Sequence, residues 1–368
     1  MGFYGDRKLT AEEAKKLRET DIGPPYFRDF LPPVIKKNYG QWKEHDILSA
    51  GLMVHTAESG DKIWTIRVAT PRLIATDTVR EACDIADKYC DGHLRWTSRN
   101  NIEFLVSDEK KVEPIQKELK ERGFLMGGIG YRISNVVHTQ GWVHCHGAAT
   151  DASGLVKSMM DELAEYFTTK ELPNKLRLAV ACCPNMCGAV HCSDIAVVAI
   201  HTTVPIIDHD KLGKICEIPT SIASCPTKAI SPYPEKKSVK IKDEKCMYCG
   251  NCFTVCPAFD PFDTERDGCA IVIGGKVNCL RTNTKFARLV VPFISNRPPR
   301  WPKVVAIIKH IIELYAKHAR KHERVGEWVD RIGWERFFKL SGITFTYQCI
   351  DDFTFMRDTF RNASTFKW

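Results

Sequence analysis

The sequence has no apolar segment long enough to cross a membrane. Its most hydrophobic runs, "LRLAVACC" and "IAVVAI", are far shorter than a spanning helix requires. The first residues, "MGFYGDRKLTAEEAKKLRE", also lack the apolar stretch of a secretory signal. Asp6 stands where a myristoylated protein would carry Ser or Thr. These absences predict a soluble protein of the cytoplasm, with no membrane span.

The chain also lacks a long basic run. It carries a formal net charge of +8, but its Lys and Arg residues are scattered among Asp and Glu. We therefore expect no nucleic-acid partner. A small polyanionic molecule is a more suitable partner for this excess of positive charge.

The chain of 368 residues is too long for one ordinary core, so two or three domains are expected. A hydrophobic content of 44% and a charged content of 27% are typical of globular proteins and exclude disorder as the default. The predicted element order β-β-α-β-β-α indicates an α+β fold built of layers. We expect an N-terminal arm and α+β domain over 1–125, a second domain over 126–208 plus 278–368, and an inserted domain over 209–277.

Sixteen cysteines in an intracellular chain argue for metal or redox chemistry rather than a disulfide framework. The stretch "CMYCGNCFTVCP", residues 246–257, has the spacing C-x2-C-x2-C-x3-C-P, with which bacterial ferredoxins hold a [4Fe–4S] cluster. Thiolates suit such clusters because they are soft anionic donors. Zinc is the alternative, although zinc sites typically use two separated pairs of ligands.

The fourth ligand of this cluster is predicted to come from upstream. In two-cluster ferredoxins, the last cysteine of each run binds the other cluster. The stretch "SIASCPTKAI" keeps only a final Cys-Pro of such a run. This crossing leaves Cys256 without a partner and assigns one cluster to Cys225, Cys246, Cys249 and Cys252.

A second group of cysteines lies in "ACCPNMCG", which follows a predicted buried strand. Cys182, Cys183 and Cys187 are three thiolates within six positions. Cys145 in "HTQGWVHCHG" can supply a fourth, which would complete another [4Fe–4S] site. Zinc and packed free thiols are the alternatives that spacing alone leaves open.

These motifs resemble those of the sulfite and nitrite reductases that couple a sirohaem to a [4Fe–4S] cluster. That family carries C-x5-C followed by a distant C-x3-C. Here Cys183 and Cys187 form the C-x3-C and Cys145 ends the C-x5-C, but Thr139 stands at its first position and Cys182 replaces the missing ligand. This departure resembles the beta subunits of dissimilatory sulfite reductases. Further segments carry the resemblance: "GPPYFRDFLPPVI", "GHLRWTSRNNIEF", "PPRWP", "ERVGEWVDRIGWERFF" and the final "FKW".

The resemblance implies a fold, a reaction and partners. The fold is of the sulfite reductase type, with an inserted ferredoxin-like domain. The reaction is the multi-electron reduction of sulfite toward sulfide, or its reverse in a sulfur oxidiser, with electrons entering through the ferredoxin-domain cluster. Cys187 would be the thiolate shared between the second cluster and the sirohaem iron. The implied partners are an alpha subunit, in an alpha2-beta2 assembly, and a small sulfur-carrier protein with C-terminal cysteines.

Basic residues are expected to bind the carboxylates of a tetrapyrrole and other anions. The family implies that the sulfite-facing side chains come mainly from the alpha subunit. We therefore expect the basic residues here to surround a second, structural tetrapyrrole, and to bind cofactor rather than to act in catalysis. For any one of them, a surface arginine is the alternative. The candidates are Arg67, Arg72, Arg95, Arg99, Arg132, Lys175 and Arg177.

Three other functions stay open from the sequence. An assimilatory sulfite or nitrite reductase would carry an intact C-x5-C, which Thr139 interrupts. An electron-transfer subunit would hold clusters without sirohaem, and a zinc-rich binding module would hold zinc. Eight further cysteines are expected to be buried thiols without a derived role: Cys83, Cys90, Cys192, Cys216, Cys256, Cys269, Cys279 and Cys349.

Overall fold

The computed structural model describes residues 30–349 apart from residue 264 and residues 278–281, together with the backbone of two short strands before them. The chain divides into two compact units. One comprises residues 1–130 with 167–169, and the other comprises 131–166 with 170–368. The division into three domains that the sequence suggests remains a prediction.

The first unit is built on a five-stranded antiparallel sheet with the strand order β3-β4-β5-β7-β6. The segment "LMVHTAESGDKIWTIRVA" predicts two strands around a turn at Ser59-Gly60, and the structure confirms them as β4 and β5. The strands of this unit are β1 (Phe3–Tyr4), β2 (Arg7–Lys8), β3 (Trp42–Ser49), β4 (Leu52–Ala57), β5 (Lys62–Ala69), β6 (Leu94–Trp96) and β7 (Asn101–Val106). Its helices are α1 (Pro33–Lys37), α2 (Thr76–Tyr89) and α3 (Val112–Glu121), the last preceded by a 3-10 turn at Glu109–Lys111.

Helices α2 and α3 cover one face of this sheet. Alternate residues of a strand point to opposite faces, so Ile66 and Val68 of β5 share a face with Phe104 of β7. These residues pack with Ile85 of α2 and Ile115 of α3 in one buried core. The other face of the sheet therefore carries the remaining side chains of the same strands.

The second unit is built on a mixed five-stranded sheet with the order β16-β15-β10-β9-β8. Strands β8, β9 and β10 are parallel, and β15 and β16 extend the sheet antiparallel. Its strands are β8 (Ile133–His138), β9 (Leu176–Ala181), β10 (Ile195–Ile200), β11 (Ile206–Ile207), β12 (Ile230–Tyr233), β13 (Ser238–Ile241), β14 (Phe259–Asp260), β15 (Gly268–Ile273) and β16 (Arg288–Ser295). Its helices are α4 (Ala152–Thr168), α5 (His209–Ile215), α6 (Ile218–Ala223), α7 (Asn251–Val255), α8 (Pro302–His318), α9 (Val325–Ile332) and α10 (Trp334–Ser341).

The central strands of this sheet are buried on both faces. On one face Leu178 and Val197 pack with α4, α8 and α9, and on the other Ala179 and Val198 form a smaller cluster. Burial on both faces explains why β9 and β10 are continuous apolar runs rather than alternating ones. The sheet is thus a rigid platform for the residues at its strand ends.

The segment between β10 and β15 folds as a small structure with its own core. Leu212, Val239 and Phe259 are fully buried in it, together with Cys252 and Cys256. Strand β15 lies within the span 209–277 that the sequence assigns to an insert, but it pairs with β10 in the larger sheet. The insert therefore leaves the sheet after β10 and returns to it just before β15.

A buried ion pair fastens α9 to the sheet. The Arg324 guanidinium donates to both carboxylate oxygens of Asp194, with Nε at 2.8 Å and Nη2 at 2.5 Å. Both side chains are almost fully buried, and Asp194 also accepts the Arg177 backbone N–H at 2.8 Å. A buried charge that loses its partner is costly, so this pair is a sensitive point of the fold.

We expect Asp194→Asn to lower the stability of the chain by about 3 kcal/mol, because it leaves the Arg324 guanidinium buried beside a neutral group. Glu335→Gln is the matched control, since the Glu335–Lys339 pair is exposed. The measurement is the thermal unfolding midpoint of both purified variants. Equal midpoints for the two variants would contradict the assigned role of Asp194.

Candidate functional site

The carboxyl ends of the parallel strands β8 and β9 bring Thr139 and Cys182 together. Thr139 directly follows β8, and Cys182 directly follows β9. The Cys182 backbone N–H donates to Thr139 Oγ1 at 2.8 Å, and the Thr139 N–H donates to the Val180 carbonyl at 3.1 Å. Side chains at positions 139 and 182 therefore reach the same place, so a cysteine at 182 can substitute for one at 139.

Four cysteines of the predicted group lie together at this edge. Cys145 is held by a short turn after β8, in which its N–H donates to the Gly141 carbonyl at 3.0 Å. The thiols of Cys145 and Cys183 both hydrogen-bond to the thiol of Cys182. Cys187 is close enough to Cys145 for their charges to interact. The four thiols thus converge from one turn and one loop.

The environment shifts the pKa values of these thiols in opposite directions. The hydrogen bond from the Cys183 thiol lowers the pKa of Cys182 to about 5, assisted by the Thr139 hydroxyl and opposed by burial. The same hydrogen bond and burial raise the pKa of Cys183. Burial likewise raises the pKa of Cys145. One member is therefore predisposed to the thiolate form, which is the form that binds metals.

Cys187 differs from the other three because its side chain is exposed. Its neighbours Met186 and Ala189 both have positive φ, at 51° and 31°, which non-glycine residues adopt only under constraint. Gly188 lies so close to the strand ends that a Cβ there would come within 3.0 Å of the Val180 carbonyl oxygen. The loop is thus fixed in a shape that presents Cys187 outward.

The insert contains a second pocket lined by cysteines. Tyr248 and Gly250 have φ values of 54° and 70°, and these two left-handed residues turn the "CMYCGNC" loop back on itself. Met247, Pro205, Ile230 and Ile241 supply apolar walls. The cysteines that line the pocket are Cys225, Cys246, Cys249 and Cys252.

Burial and hydrogen bonds act in opposite directions on these thiols. Burial would raise the pKa of Cys225, but the hydroxyl of Thr227 and nearby backbone amides outweigh it and lower the value. One of these donors is the Ala229 N–H, 3.2 Å from Cys225 Sγ. Burial raises the pKa of Cys246, and that of Cys252 to about 12. In both groups the thiols must lose protons on binding iron, so metal binding releases protons here.

Over the described part of the chain, no three His, Cys, Asp or Glu side chains are close enough to hold a single metal ion. In a cubane, each thiolate binds its own iron, so the four sulfurs need not meet at one point. The two groups of cysteines fit ligands of this larger kind.

Cys256 does not line the pocket. It forms a disulfide with Cys216, across a Cα–Cα distance of 5.9 Å. The expectation that these two are free thiols is therefore wrong. Each directly follows a helix, Cys216 after α5 and Cys256 after α7, and the packing of those helices brings them together.

The other unassigned cysteines are mostly buried. Cys90, Cys269 and Cys349 are buried thiols, as expected, and burial raises the pKa of Cys90 and of Cys269 to about 12. Cys83 is exposed and Cys192 partly so, which corrects the expectation for these two. Cys279 lies outside the described residues.

The sheet face opposite α2 and α3 carries a row of charges. Arg67 of β5 and Arg95 of β6 both lie opposite Glu103 of β7. Arg67 Nε and Arg95 Nε each donate to this fully buried carboxylate at 2.8 Å, and Arg67 Nη1 donates to the Gly128 carbonyl at 2.7 Å. One carboxylate thus orders two guanidinium groups, and the row keeps a net positive charge.

Sequence reasoning overlooked three members of this face. Glu103 lies in a strand whose other residues are mostly apolar, and sequence reasoning passed over it. Its pairing with Arg67 and Arg95 on neighbouring strands was a signal that could have found it. His45 and His55 pair across β3 and β4, with ring centroids 5.8 Å apart. Burial, followed by the neighbouring His45, lowers the pKa of His55.

Arg72 and Arg99 lie in the loops of the same unit. Arg72 is exposed beyond the end of β5. Arg99 lies in the tight turn between β6 and β7, where its backbone N–H donates to Thr97 Oγ1 at 3.3 Å. Both residues have further interactions within the chain.

The three basic candidates of the second unit lie at the opposite end of the sheet from the cysteines. Arg132 precedes β8, while Lys175 and Arg177 lie at the start of β9. Burial, with the charges of Arg177 and Arg324, lowers the pKa of Lys175. Arg132 pairs with Glu171 at 3.0 Å. At about 3.3 Å per strand residue, roughly 20 Å separates these side chains from Cys182, too far for one small ligand to touch both.

The chain matches two family descriptions. Residues 129–346 match "Nitrite and sulphite reductase 4Fe-4S domain", and residues 55–122 match "Nitrite/Sulfite reductase ferredoxin-like half domain". A protein of Archaeoglobus fulgidus named "Sulfite reductase, dissimilatory-type subunit beta" is 54% identical, covering 95% of this chain and 98% of that one. The chain belongs to the beta-subunit family of dissimilatory sulfite reductases. It is accordingly an iron–sulfur oxidoreductase subunit for sulfite reduction.

Two more distant proteins are similar to this chain, one in sequence and one in fold. The alpha subunit of the dissimilatory-type enzyme of Allochromatium vinosum is 27% identical, over 77% of this chain and 70% of that one. A crystal structure titled dissimilatory sulfite reductase I matches with a TM-score of 0.77 at 21% identity, covering 86% of this chain and 80% of that one. The predicted α+β sulfite reductase fold is confirmed. Among the described residues, no helix combines the length and apolarity needed to cross a membrane.

The prediction that Cys225, and not Cys256, is the fourth ligand of the insert's cluster can be tested by substitution. We expect Cys225→Ser to lose the iron of one four-iron cluster, because Cys225 lines the pocket with Cys246, Cys249 and Cys252. Cys256→Ser should keep that iron, because Cys256 is committed to the disulfide. The measurement is iron and acid-labile sulfide per chain after anaerobic purification.

Cys216→Ser is the matched control, since it breaks the same disulfide without touching the C-x2-C-x2-C-x3-C run. If Cys256→Ser loses the cluster and Cys216→Ser keeps it, Cys256 is a ligand and the crossing is wrong.

Proposed function

We propose that this chain is the beta subunit that holds a sirohaem-coupled [4Fe–4S] cluster and, in its insert, a second [4Fe–4S] cluster. The convergence of Cys145, Cys182, Cys183 and Cys187 at one edge of the sheet carries this proposal. A group of four thiols at the end of a rigid sheet offers the soft anionic donors that a cubane needs. The family match to a 4Fe-4S domain over the same residues supports it.

The exposure of Cys187 suits a thiolate that faces a second group. Cys145, Cys182 and Cys183 are partly or fully buried and would hold the cluster from within, while Cys187 would be shared with the sirohaem iron. When bound, the sirohaem supplies an iron that binds sulfite and accepts electrons. The chain's own contribution is to hold the thiolates in place and to keep water from the three inner ones.

The cysteines of the insert would hold the cluster at which electrons enter. The ligands proposed are Cys225, Cys246, Cys249 and Cys252. Three of these side chains are only partly buried, which suits exchange of electrons with an external donor. Backbone amides near Cys225 donate hydrogen bonds toward its sulfur, and such bonds stabilise the thiolate and tune a cluster's potential.

The basic residues are proposed to bind the carboxylates of a tetrapyrrole. Arg67 and Arg95 are ordered by Glu103 and keep a net positive charge, which favours an anionic ligand on that sheet face. Arg132, Lys175 and Arg177 lie far from this chain's own cysteine group. That separation supports a role for them at another tetrapyrrole rather than at the sirohaem of these cysteines. Arg72 and Arg99 complete the proposed set.

Partners and location follow from the relatives rather than from the fold. The relatives are named as alpha and beta subunits, which supports an alpha subunit as partner. The alpha2-beta2 stoichiometry rests on the family resemblance. A small sulfur-carrier protein, operation in the oxidative direction and a cytoplasmic location stay proposals that rest on the family resemblance.

The proposal can be tested on Cys187, using protein purified anaerobically with its partner. We expect sirohaem absorption bands and cluster iron in the wild type, and loss of the coupled centre in Cys187→Ser. Cys192→Ser is the matched control, because Cys192 lies in the same loop but its thiol donates to the Ala189 carbonyl at 3.3 Å.

A wild-type preparation with clusters but no tetrapyrrole would contradict the proposal. That outcome would favour the electron-transfer subunit that the sequence leaves open. Zinc without labile sulfide would instead favour the zinc-rich module.

A further inference from the structure

The two groups of cysteines are joined by aromatic side chains next to their proposed ligands. His146 follows Cys145, and its ring contacts Phe253, which follows Cys252; the centroids are 5.7 Å apart. Phe253 also packs edge-on against Phe262 at 4.8 Å. Two peptide bonds and one ring contact therefore separate a proposed ligand of one cluster from a proposed ligand of the other.

A buried histidine lies where the insert leaves the sheet. His201 directly follows β10 and Asp267 directly precedes β15, and the antiparallel register of these strands places the two residues opposite each other. His201 Nδ1 lies 3.1 Å from Asp267 Oδ2, and the Thr202 N–H donates to Asp267 Oδ1 at 3.1 Å. His201 is 2% exposed and Asp267 1%. The pair ties together the two chain segments that enter and leave the insert.

The same ring reaches both cysteine loops. His201 Nε2 lies 3.2 Å from the carbonyl oxygen of Gly147, two residues after Cys145. Its edge also lies against Gly250 in the cysteine loop of the insert, where a Cβ would come within 3.3 Å of His201 Cδ2. Phe262 packs edge-on against the ring at 5.4 Å. The His201 imidazole therefore contacts three places: Asp267, where the insert rejoins the sheet, the loop that carries Cys145, and the cysteine loop of the insert.

A polar group buried this deeply is costly unless its hydrogen bonds are satisfied. Here both ring nitrogens and both carboxylate oxygens have partners within hydrogen-bonding distance. Apolar side chains would fill the same volume but would not fix how the neighbouring segments are oriented. A polar network with all its hydrogen bonds satisfied specifies one orientation.

We infer that His201 is a positioning residue: it fixes the Cys145 loop relative to the Cys249–Cys252 loop, and the His146 and Phe253 rings fill the space between them. This rests on the proposed function of the two cysteine groups. The consequence is electron transfer within one chain. The loop geometry would favour transfer of one electron from a reduced cluster held by the insert cysteines to an oxidised cluster held at Cys145, so that the donor loses the electron that the acceptor gains.

The test follows reduction of the anaerobic holoenzyme by reduced methyl viologen, a one-electron donor, in a stopped-flow instrument. We expect His201→Gln and His146→Ala to slow reduction of the sirohaem-linked centre severalfold after the insert's cluster has been reduced. Iron, labile sulfide and tetrapyrrole contents should equal those of the wild type. His146 is exposed, so its variant should fold even if His201→Gln does not.

The matched controls differ only in position. His144→Ala removes another exposed histidine beside Cys145, and His209→Gln changes a histidine that hydrogen-bonds Ser238 within the insert at 2.8 Å. Both should transfer electrons at the wild-type rate.

A second readout does not depend on turnover. Two reduced clusters held close together split each other's electron paramagnetic resonance signals, and we expect this splitting to narrow in His201→Gln. Wild-type rates and splitting in fully loaded variants would overturn the inference. A wild type that lacks a cluster or the tetrapyrrole would instead overturn the proposed function, so the two failures are distinguishable.

Discussion

The parallel pairing of β8 with β9 is the constraint on which the site depends. It places Thr139 and Cys182 side by side, with the Cys182 N–H bonded to the Thr139 hydroxyl at 2.8 Å. A side chain at the end of β9 can therefore occupy the same region as one at the end of β8 without a change in the fold. This adjacency supports the proposal that Cys182 serves as a ligand where Thr139 cannot. Because β9 is buried on both faces and β8 packs into the core through Ile133 and Val136, the position of these strand ends is fixed by the core.

The same sheet separates two kinds of chemistry. Thiols lie at the carboxyl ends of β8 and β9, and the basic residues Arg132, Lys175 and Arg177 lie at the amino ends. One small site cannot include both, so the cysteines and these basic residues belong to separate regions of the sheet. The similarity of this chain to alpha subunits as well as beta subunits fits an enzyme in which two related chains share that work.

Local sequence patterns predicted many helices, strands and cysteine groups of this structure. The features that depend on tertiary contacts could not be predicted from those patterns. The helical spacing of residues 76–89 predicts α2, but the residue that caps the helix is Ala75 rather than the expected Thr76 or Asp77. Strand β3 was missed because its charged, largely exposed residues lie on a sheet edge and carry no alternation. The cysteine spacing pointed to both groups, but the Cys216–Cys256 disulfide depends on how two helices pack. The contact of His201 with both cysteine loops likewise has no local signature.

The most direct test of the account is anomalous X-ray diffraction from anaerobic crystals of the holoenzyme, recorded at the iron and zinc absorption edges. The account predicts that this experiment will show two iron clusters within this chain and no zinc. One cluster should be bounded by Cys145, Cys182, Cys183 and Cys187, and the other by Cys225, Cys246, Cys249 and Cys252. Iron bound to Cys256, a single cluster, or zinc at either group would contradict it.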